Sequence, residues 1–390
     1  MEAIEPAALS AELRSWKSAG FPEGTGGGCH LLWGSPVAGE SPFYQKPAWL
    51  ANILAFWQVH PCLSYLFTGS YVGASSQAPR TDESGHAFHD LELAVKFLRS
   101  LPPGDHRSLI NETLRHLHTD ASGNTHRSEI SFDKFWNPEW SGGAAGLIEF
   151  RAVESMPKTS WTCAVVGLWS CLGAALLKFG RPVRMKHHGP TLHDRFLLPS
   201  VMLEDLSEVL KFLKSQGWAL PAQPFEEIWN WRFPKILSWG QGGLIVRRAL
   251  EVWPLLSETP LEGGTTSRFV DASLRRIELS CTPQFAQAYL ITINGREAPV
   301  TRSAAGRKVC GVRFRATRLR PSLHPGILPH TPLRLRILER ATMRLKAEYI
   351  LPSDSQPAEL IKTPTRHHQY FESKPLRPIQ PSGWTCDLRF

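Results

Sequence analysis

The sequence has no CxxC pair, and its seven cysteines are scattered at positions 29, 62, 163, 171, 281, 310 and 386. This argues against a disulfide framework and a structural zinc site, which need paired cysteines at bridge or ligand spacing; reduced thiols, mostly packed in the core, are expected. No apolar run reaches the roughly 20 residues of a bilayer span. The longest, Cys163–Leu177, includes Gly, Ser and Cys and reads as a buried helix, so no membrane partner is expected. Met1–Lys17 carries three Glu and lacks both a basic segment and a continuous apolar segment. It does not read as a secretory signal, and a cytoplasmic protein is expected. No internal repeat is visible.

Apolar and aromatic residues are plentiful: 42% of the chain is hydrophobic and 10% aromatic, with 14 Trp, which is enough to offset chain entropy and exclude wholesale disorder. Single cores stop growing at about 250–300 residues, so 390 residues suit one enzyme-sized unit with an appendage. The net charge of +9 is unevenly placed. Residues 1–180 hold 13 Lys and Arg against 17 Asp and Glu, whereas residues 181–390 hold 31 against 18. A basic second half suits either a polyanion-binding face or a solvated basic surface. The second is the simpler reading, and a nucleic-acid partner is not expected.

Apolar spacing at Trp49, Leu50, Ile53, Leu54 and Trp57 predicts a helix over 47–59, ended by His60-Pro61. Helices are also predicted over 90–98, 109–118, 159–178 and 203–213, and short strands after Gly24–His30 at Leu31–Trp33, over 128–132 and over 146–151. The helix over 159–178 is apolar nearly all round, which implies burial on all sides. Beyond about Gly240 the pattern alternates, at 275–279, 289–293 and 309–315, with an Asn294-Gly295 turn that marks a hairpin. The expected organisation is a divergent N-terminal segment over 1–23, an α+β domain over 24–239 with an antiparallel sheet and buried helices, a smaller β-rich domain over 240–352, and a poorly ordered tail over 353–390.

Three stretches carry candidate chemistry. Gly24-Thr-Gly-Gly-Gly-Cys-His30 combines glycines that let backbone approach a ligand, among them Gly26, Gly27 and Gly28, with an imidazole set at the start of a strand; alone, such a stretch is more often a flexible turn than a phosphate cradle. In Gly146-Leu-Ile-Glu149-Phe-Arg151, strand alternation puts Glu149 and Arg151 on one face. That pair could set a cation beside an anion, as nucleotide ligases require, and a cross-strand salt bridge explains the spacing more simply. In Gly123-Asn-Thr-His-Arg127-Ser-Glu129, Arg127 and Glu129 share a face in the same way. The pairs His187-His188 and His367-His368, and His193-Asp194-Arg195, lack partners at ligand spacing and read as surface or hydrogen-bonded groups.

In chain order, the Gly-rich turn ending in His30, then His60-Pro-Cys-Leu-Ser-Tyr-Leu-Phe67, an Arg-bearing strand, Ile148-Glu-Phe-Arg151 and a long buried helix resemble the catalytic half of glutamine synthetase and glutamate-cysteine ligase. The strings GTGGGCH, HPCLSYLFTG, SSQAPRTDE, GNTHRSE, DKFWNP, LIEFRAVESMP, LHDRFLLP, GGTTSRFVDAS and LHPGILPHTPL, with Trp231-Arg-Phe-Pro234, more closely resemble a bacterial family of amidoligases. That family is often fused to, or encoded with, transglutaminase-like proteins. The likeness runs over roughly residues 22–335.

The resemblance implies an antiparallel sheet whose inner face binds ATP and two divalent cations, Mg²⁺ or Mn²⁺, beside a carboxylate substrate that is joined to an amine through an acyl phosphate. It implies that His30 and Glu149 share a metal, that Arg151 contacts the phosphates with Arg127 as a second contact, and that Gly26, Gly27 and Gly28 line the nucleotide. Arg80, Asp82, Glu83 and Glu129 fall in family motifs without an assigned role. A small-molecule or peptide carboxylate, an amine and a transglutaminase-like protein are the implied partners.

The family pattern also carries a Glu-bearing strand upstream of the Gly-rich turn. Glu2, Glu5, Glu12 and Glu23 lie in a stretch that reads as a short polar helix and loop, so a chain shortened at its N-terminus is expected. Cys29 stands where the family has Asn, and the sequence beyond Leu335 departs from the family's ending. Three functions therefore stand side by side: an amidoligase, a catalytically defective member serving as a binding or scaffold protein, and a fragment completed by a partner segment. A cysteine protease or transglutaminase is disfavoured, because no local signature orders Cys, His and Asp into a triad.

Overall fold

A computed structural model describes residues 15–16, 22–23, 29–37, 39–69, 72–76, 78–83, 87–120, 123–138, 143–260, 266–318, 323–352, 358–362, 379 and 383–390. The chain is α+β and divides into two compact units, Met1–Gly189 with Asp205–Ile228, and Pro190–Glu204 with Trp229–Phe390.

In the first unit, β1 (Ser15–Trp16) pairs with β2 (Pro22–Glu23), and β3 (Leu31–Trp33) follows the Gly-rich stretch. Helix α1 (Pro47–Val59) has the predicted bounds. Proline at its first position suits a site with no hydrogen bond to lose, and His60 leaves helical geometry at φ −114°, ψ 80°, as a residue before proline prefers. Next come α2 (Cys62–Tyr65), α3 (Ala87–Ser100), α4 (Arg107–Leu114), β4 (Ile130–Ser131), β5 (Ile148–Phe150) and α5 (Thr159–Phe179). Gly180, in the left-handed region at φ 65°, caps α5.

Strand β5 lies between β3 and β4, antiparallel to both. Leu31, Phe150 and Ile130 stand opposite one another, as do Leu32, Glu149 and Ser131. Opposed residues share a face, so the sheet has one apolar side and one polar side. The apolar side packs on an aromatic cluster, with Phe150 4.6 Å from Trp33 and 4.8 Å from Trp57, and Trp57 5.5 Å from Trp169 of α5.

Burial of α5 on all sides does not hold. Trp161, Val165, Leu168, Trp169, Leu172 and Leu176 are buried, but Cys163, Val166, Ser170, Ala174 and Leu177 form an exposed stripe at helical spacing. The stripe is made of small and aliphatic residues, which is why composition alone did not separate it from the core face. Among the described residues, α5 is the one helix long and apolar enough to cross a membrane by length and composition.

After α6 (Thr191–Phe196) in the second unit, α7 (Pro199–Ser215) and α8 (Gln223–Arg232) each contribute residues to both units. The second unit continues with β6 (Lys235–Trp239), β7 (Leu244–Ala249), β8 (Leu255–Pro260), β9 (Thr266–Val270), β10 (Leu274–Cys281), α9 (Pro283–Ala288), β11 (Tyr289–Ile293), β12 (Arg296–Glu297), β13 (Arg302–Ala304), β14 (Arg307–Arg315), β15 (Leu333–Glu339), β16 (Leu345–Leu351), β17 (Glu359–Lys362) and β18 (Thr385–Asp387). One sheet runs β13-β14-β10-β7-β6, with β18 also on β14, and the other runs β12-β11-β15-β16-β17. Their inner faces share one core, including Leu279, Val312 and Phe314 from the first sheet and Ile291, Leu335 and Ile337 from the second, the arrangement of a β-sandwich. Asn294 at φ 50° and Gly295 at φ 78° make the turn between β11 and β12. Within the stretch expected to lack order, Glu359–Lys362 and Thr385–Asp387 are paired strands.

A buried ion triad ties this unit together. Arg276 is 2% exposed; its Nε and Nη2 donate to the two oxygens of Glu251 at 2.8 and 2.9 Å, and Arg313 Nε donates to the same carboxylate at 2.8 Å. Removing the carboxylate leaves a buried guanidinium without its counter-charge, a loss of about 3–5 kcal/mol. Glu251→Ala should therefore lower the urea midpoint of unfolding markedly, and a variant that unfolds at the wild-type urea concentration would contradict this account.

Candidate active site

The polar face of the three-stranded sheet is set by how its central strand is entered. Gly146, at φ +69°, precedes β5, and a Cβ there would lie 2.5 Å from Ser41 Cβ and 2.8 Å from the Tyr44 hydroxyl. Only glycine fits that approach and that backbone angle. The Gly146 N–H donates to Phe135 O at 2.9 Å and the Leu147 N–H to Lys134 O at 3.1 Å. The DKFWNP turn is thereby fixed against the strand, and Lys134 is brought to the polar face.

Glu149 is 4% exposed and surrounded by nitrogen. Its Oε1 lies 2.7 Å from His30 Nδ1 and 3.6 Å from an Arg151 Nη1, and its Oε2 accepts from Lys134 Nζ at 3.2 Å. Burial alone would raise the carboxyl pKa. The hydrogen bonds from His30 and Lys134 and the charges of Arg151 and Lys134 outweigh it and lower the pKa to about 2. His30 is positioned by the Cys29 N–H, which donates to Val153 O at 2.9 Å and extends the β3–β5 pairing.

A second cluster lies against the same strands. Arg80 is buried, and its Nε and Nη2 donate to the two oxygens of Asp82, each at 2.9 Å. Its remaining N–H groups reach Trp57 O at 3.1 Å, Gln58 O at 2.9 Å and Ser64 Oγ at 3.2 Å. The two carbonyls belong to the last turn of α1, where a cation is favoured by the helix dipole. Glu129 Oε2 stands 3.6 Å from Arg80 Nη1 and accepts a short hydrogen bond from Ser64 Oγ. Gln58 Nε2 donates to Asp82 at 3.0 Å and the Tyr65 hydroxyl to Glu83 at 2.6 Å. The two clusters are neighbours in the ladder, since the Arg151 N–H donates to Glu129 O at 2.8 Å.

One guanidinium thus faces two carboxylates, and Asp82 takes the bidentate geometry. Asp82 is held below its ordinary range, with Arg80 and Gln58 prevailing over burial. Burial pushes Glu129 up to about 7, against the pull of Arg80.

Of the residues singled out from sequence, His30, Glu149 and Arg151 meet in one cluster and Arg80, Asp82, Glu83 and Glu129 in the other. Arg127 sits in the turn before β4, with its N–H on Asn124 O at 3.1 Å, while Glu129 turns inward to Arg80. Gly26, Gly27 and Gly28 lie outside the described residues, as do Glu2, Glu5 and Glu12. Lys134, Ser64, Gln58 and Tyr65 were not singled out; Lys134, Ser64 and Tyr65 stand in the DKFWNP and HPCLSYLFTG strings, which was the available signal. As for a divalent cation beside Glu149, the described residues supply one imidazole and one carboxylate, and both carboxylate oxygens are engaged by nitrogen donors. Lys134 and Arg151 oppose added positive charge there, so this donor set does not fit a two-cation clamp.

The α+β class of the chain agrees with the fold class the resemblance implied. Residues 2–350 match the family described as "Putative amidoligase enzyme (DUF2126)", and the chain belongs to that family. The match includes the residues before Gly24 and continues past Leu335, both read as divergent from sequence. No curated protein and no solved structure matches the chain.

The state of Glu129 has a measurable consequence. Its folded pKa of about 7 lies above the ordinary 4.5, so the folded chain keeps a proton that the unfolded chain releases. The associated stability is fully present below the ordinary value and is lost as pH rises through about 7, in total about 3 kcal/mol. Urea midpoints should fall between about pH 4.5 and 7 in the wild type, level off above that, and stay flatter in Glu129→Gln, which fixes the neutral state. Parallel profiles would show that Glu129 does not carry the effect.

Proposed function

We propose that the chain is an ATP-dependent ligase that joins a carboxylate to an amine. Membership of the amidoligase family supports amide-forming chemistry, and the observation that carries the finer reading is the convergence of Lys134, Arg151 and His30 on Glu149 at 2.7–3.6 Å. A buried carboxylate holding two permanent cations in place makes a rigid electropositive spot, and phosphoryl transfer is catalysed chiefly by such positioned charge. In this reading Arg151 and Lys134 receive the phosphates, with Arg127 as a further contact, and Glu149 is a positioning residue.

The substrate carboxylate attacks the γ-phosphorus and ADP leaves. The amine then attacks the acyl carbon, inorganic phosphate leaves, and the amine's proton passes to solvent or to a basic group. Mg²⁺ or Mn²⁺ enters with the nucleotide, and no step is assigned to a protein-bound metal. The substrates are a small-molecule or peptide carboxylate and an amine, with a transglutaminase-like protein as partner and a cytoplasmic location where ATP is available.

A second reading is favoured by the occupation of both Glu149 oxygens: a family member that keeps the fold and binds without catalysis. Calorimetry with ATP and Mg²⁺ or Mn²⁺ separates the two. Binding that weakens about 10–100-fold in Arg151→Ala and Lys134→Ala, the effect of losing a charge-assisted contact, and that is also reduced in Glu149→Ala, supports the ligase. A well-folded wild-type chain that binds no nucleotide supports the second reading.

A further inference from the structure

Away from the polar sheet face, His60, Asp205 and Glu208 each offer a ligand atom, and these atoms all lie within 4.8 Å of one another. The sequence accounts for the geometry. Pro61 takes His60 out of the α1 helix, and the His60 ring packs 4.5 Å from that of Phe56. Asp205 and Glu208 are three residues apart on α7 and therefore share a face; both belong to the first unit, with His60. Asp205 Oδ1 lies 2.7 Å from His60 Nδ1, and Oδ2 accepts the Cys62 N–H at 2.9 Å. Asp205 is 6% exposed, whereas Glu208 opens to solvent.

The charge balance is uneven. Two carboxylates this close repel, and among the described residues neither has a Lys or Arg within ion-pair distance; the one ion-pair partner is the His60 imidazole on Asp205.

We propose that His60, Asp205 and Glu208 form a site for a divalent cation of the Zn²⁺ class. One imidazole with two carboxylates suits Zn²⁺, Co²⁺ or Mn²⁺ better than the all-oxygen set of Ca²⁺ or Mg²⁺. Ligand atoms around tetrahedral Zn²⁺ sit roughly 3.3 Å apart, from metal–ligand distances near 2.0 Å; the cation replaces the 2.7 Å His60–Asp205 hydrogen bond, whose proton passes to solvent, while the Cys62 N–H stays on the second Asp205 oxygen and exposed Glu208 swings in. Three protein ligands leave the solvent side for water. The cation clamps the 60–65 turn to α7, and that turn supplies Ser64 to Glu129 and Tyr65 to Glu83. The site thus braces the buried network from behind and does not depend on the nucleotide reading.

The test is titration of the chelator-treated full chain with Co²⁺, followed by its visible absorption, and with Zn²⁺, followed by calorimetry. The expected result is one equivalent per chain, weakened at least tenfold in Glu208→Gln, with Zn²⁺ raising the thermal midpoint of the wild type but not of that variant. Glu208 is exposed, so the variant should fold; Glu149→Ala serves as the control and should retain the uptake. No stoichiometric uptake by the wild type overturns the proposal, as does uptake unchanged in Glu208→Gln, or uptake lost in Glu149→Ala but kept in Glu208→Gln.

Discussion

A guanidinium withdrawn from water needs a counter-charge and acceptors for five N–H groups, and meeting that need for Arg80 organises much of the first unit. The acceptors come from four places in the chain: the last carbonyls of α1, Ser64 of α2, Asp82, and Glu129. Asp82 is local to Arg80, but the 57–64 stretch and Glu129 lie far from it in an extended chain. The order of α1, the 60–65 turn and the entry into β4 is therefore coupled to one charge. Asp82 answers that charge fully and Glu129 only in part, which leaves a carboxyl able to change state near neutral pH beside the strand that carries Arg151.

Strand β5 carries the opposite balance. At Glu149 one carboxylate meets three nitrogen groups, so this part of the sheet is electropositive, whereas the Arg80 cluster has more carboxylates than cations. Two neighbouring regions of opposite excess charge are thus joined by a ladder hydrogen bond. The apolar side of β5, packed on Trp33, Trp57 and Trp169, keeps both regions in register.

Much of this could be read from the residues. The spacing of Trp49, Leu50, Ile53, Leu54 and Trp57 with the following His60-Pro61 defines α1 because both signals are local, and alternation alone places Glu149 and Arg151 on one face. Lys134 could not be placed in the same way, since its position depends on backbone bonds between the 134–135 turn and residues 146–147. Asp205 meets His60 across 145 positions, a pairing with no local signature. The exposed stripe of α5 escaped notice because Cys, Val, Ser, Ala and Leu look alike to a hydropathy pattern whether they face a core or not. Strand β6 begins before the expected boundary at 240, and Pro190–Glu204 groups with the second unit, because unit membership follows long-range contacts rather than changes in composition.

In the second unit, β13 and β18 lie along the same side of β14, end to end. β13 covers Arg307–Val309 and β18 covers Gly311–Arg313, the latter in parallel. Asp194 fastens β18 by accepting the N–H groups of Trp384 and Thr385 at 2.7 and 2.9 Å. As the ribosome delivers the chain, Asp194 and β14 emerge well before their partner, and about a third of the β14 edge, Gly311–Arg313, keeps bare peptide groups until residues 384–387 arrive. An unpaired edge of this kind invites pairing with other chains, so the interval before β18 docks is when the nascent sandwich is most exposed to mispairing.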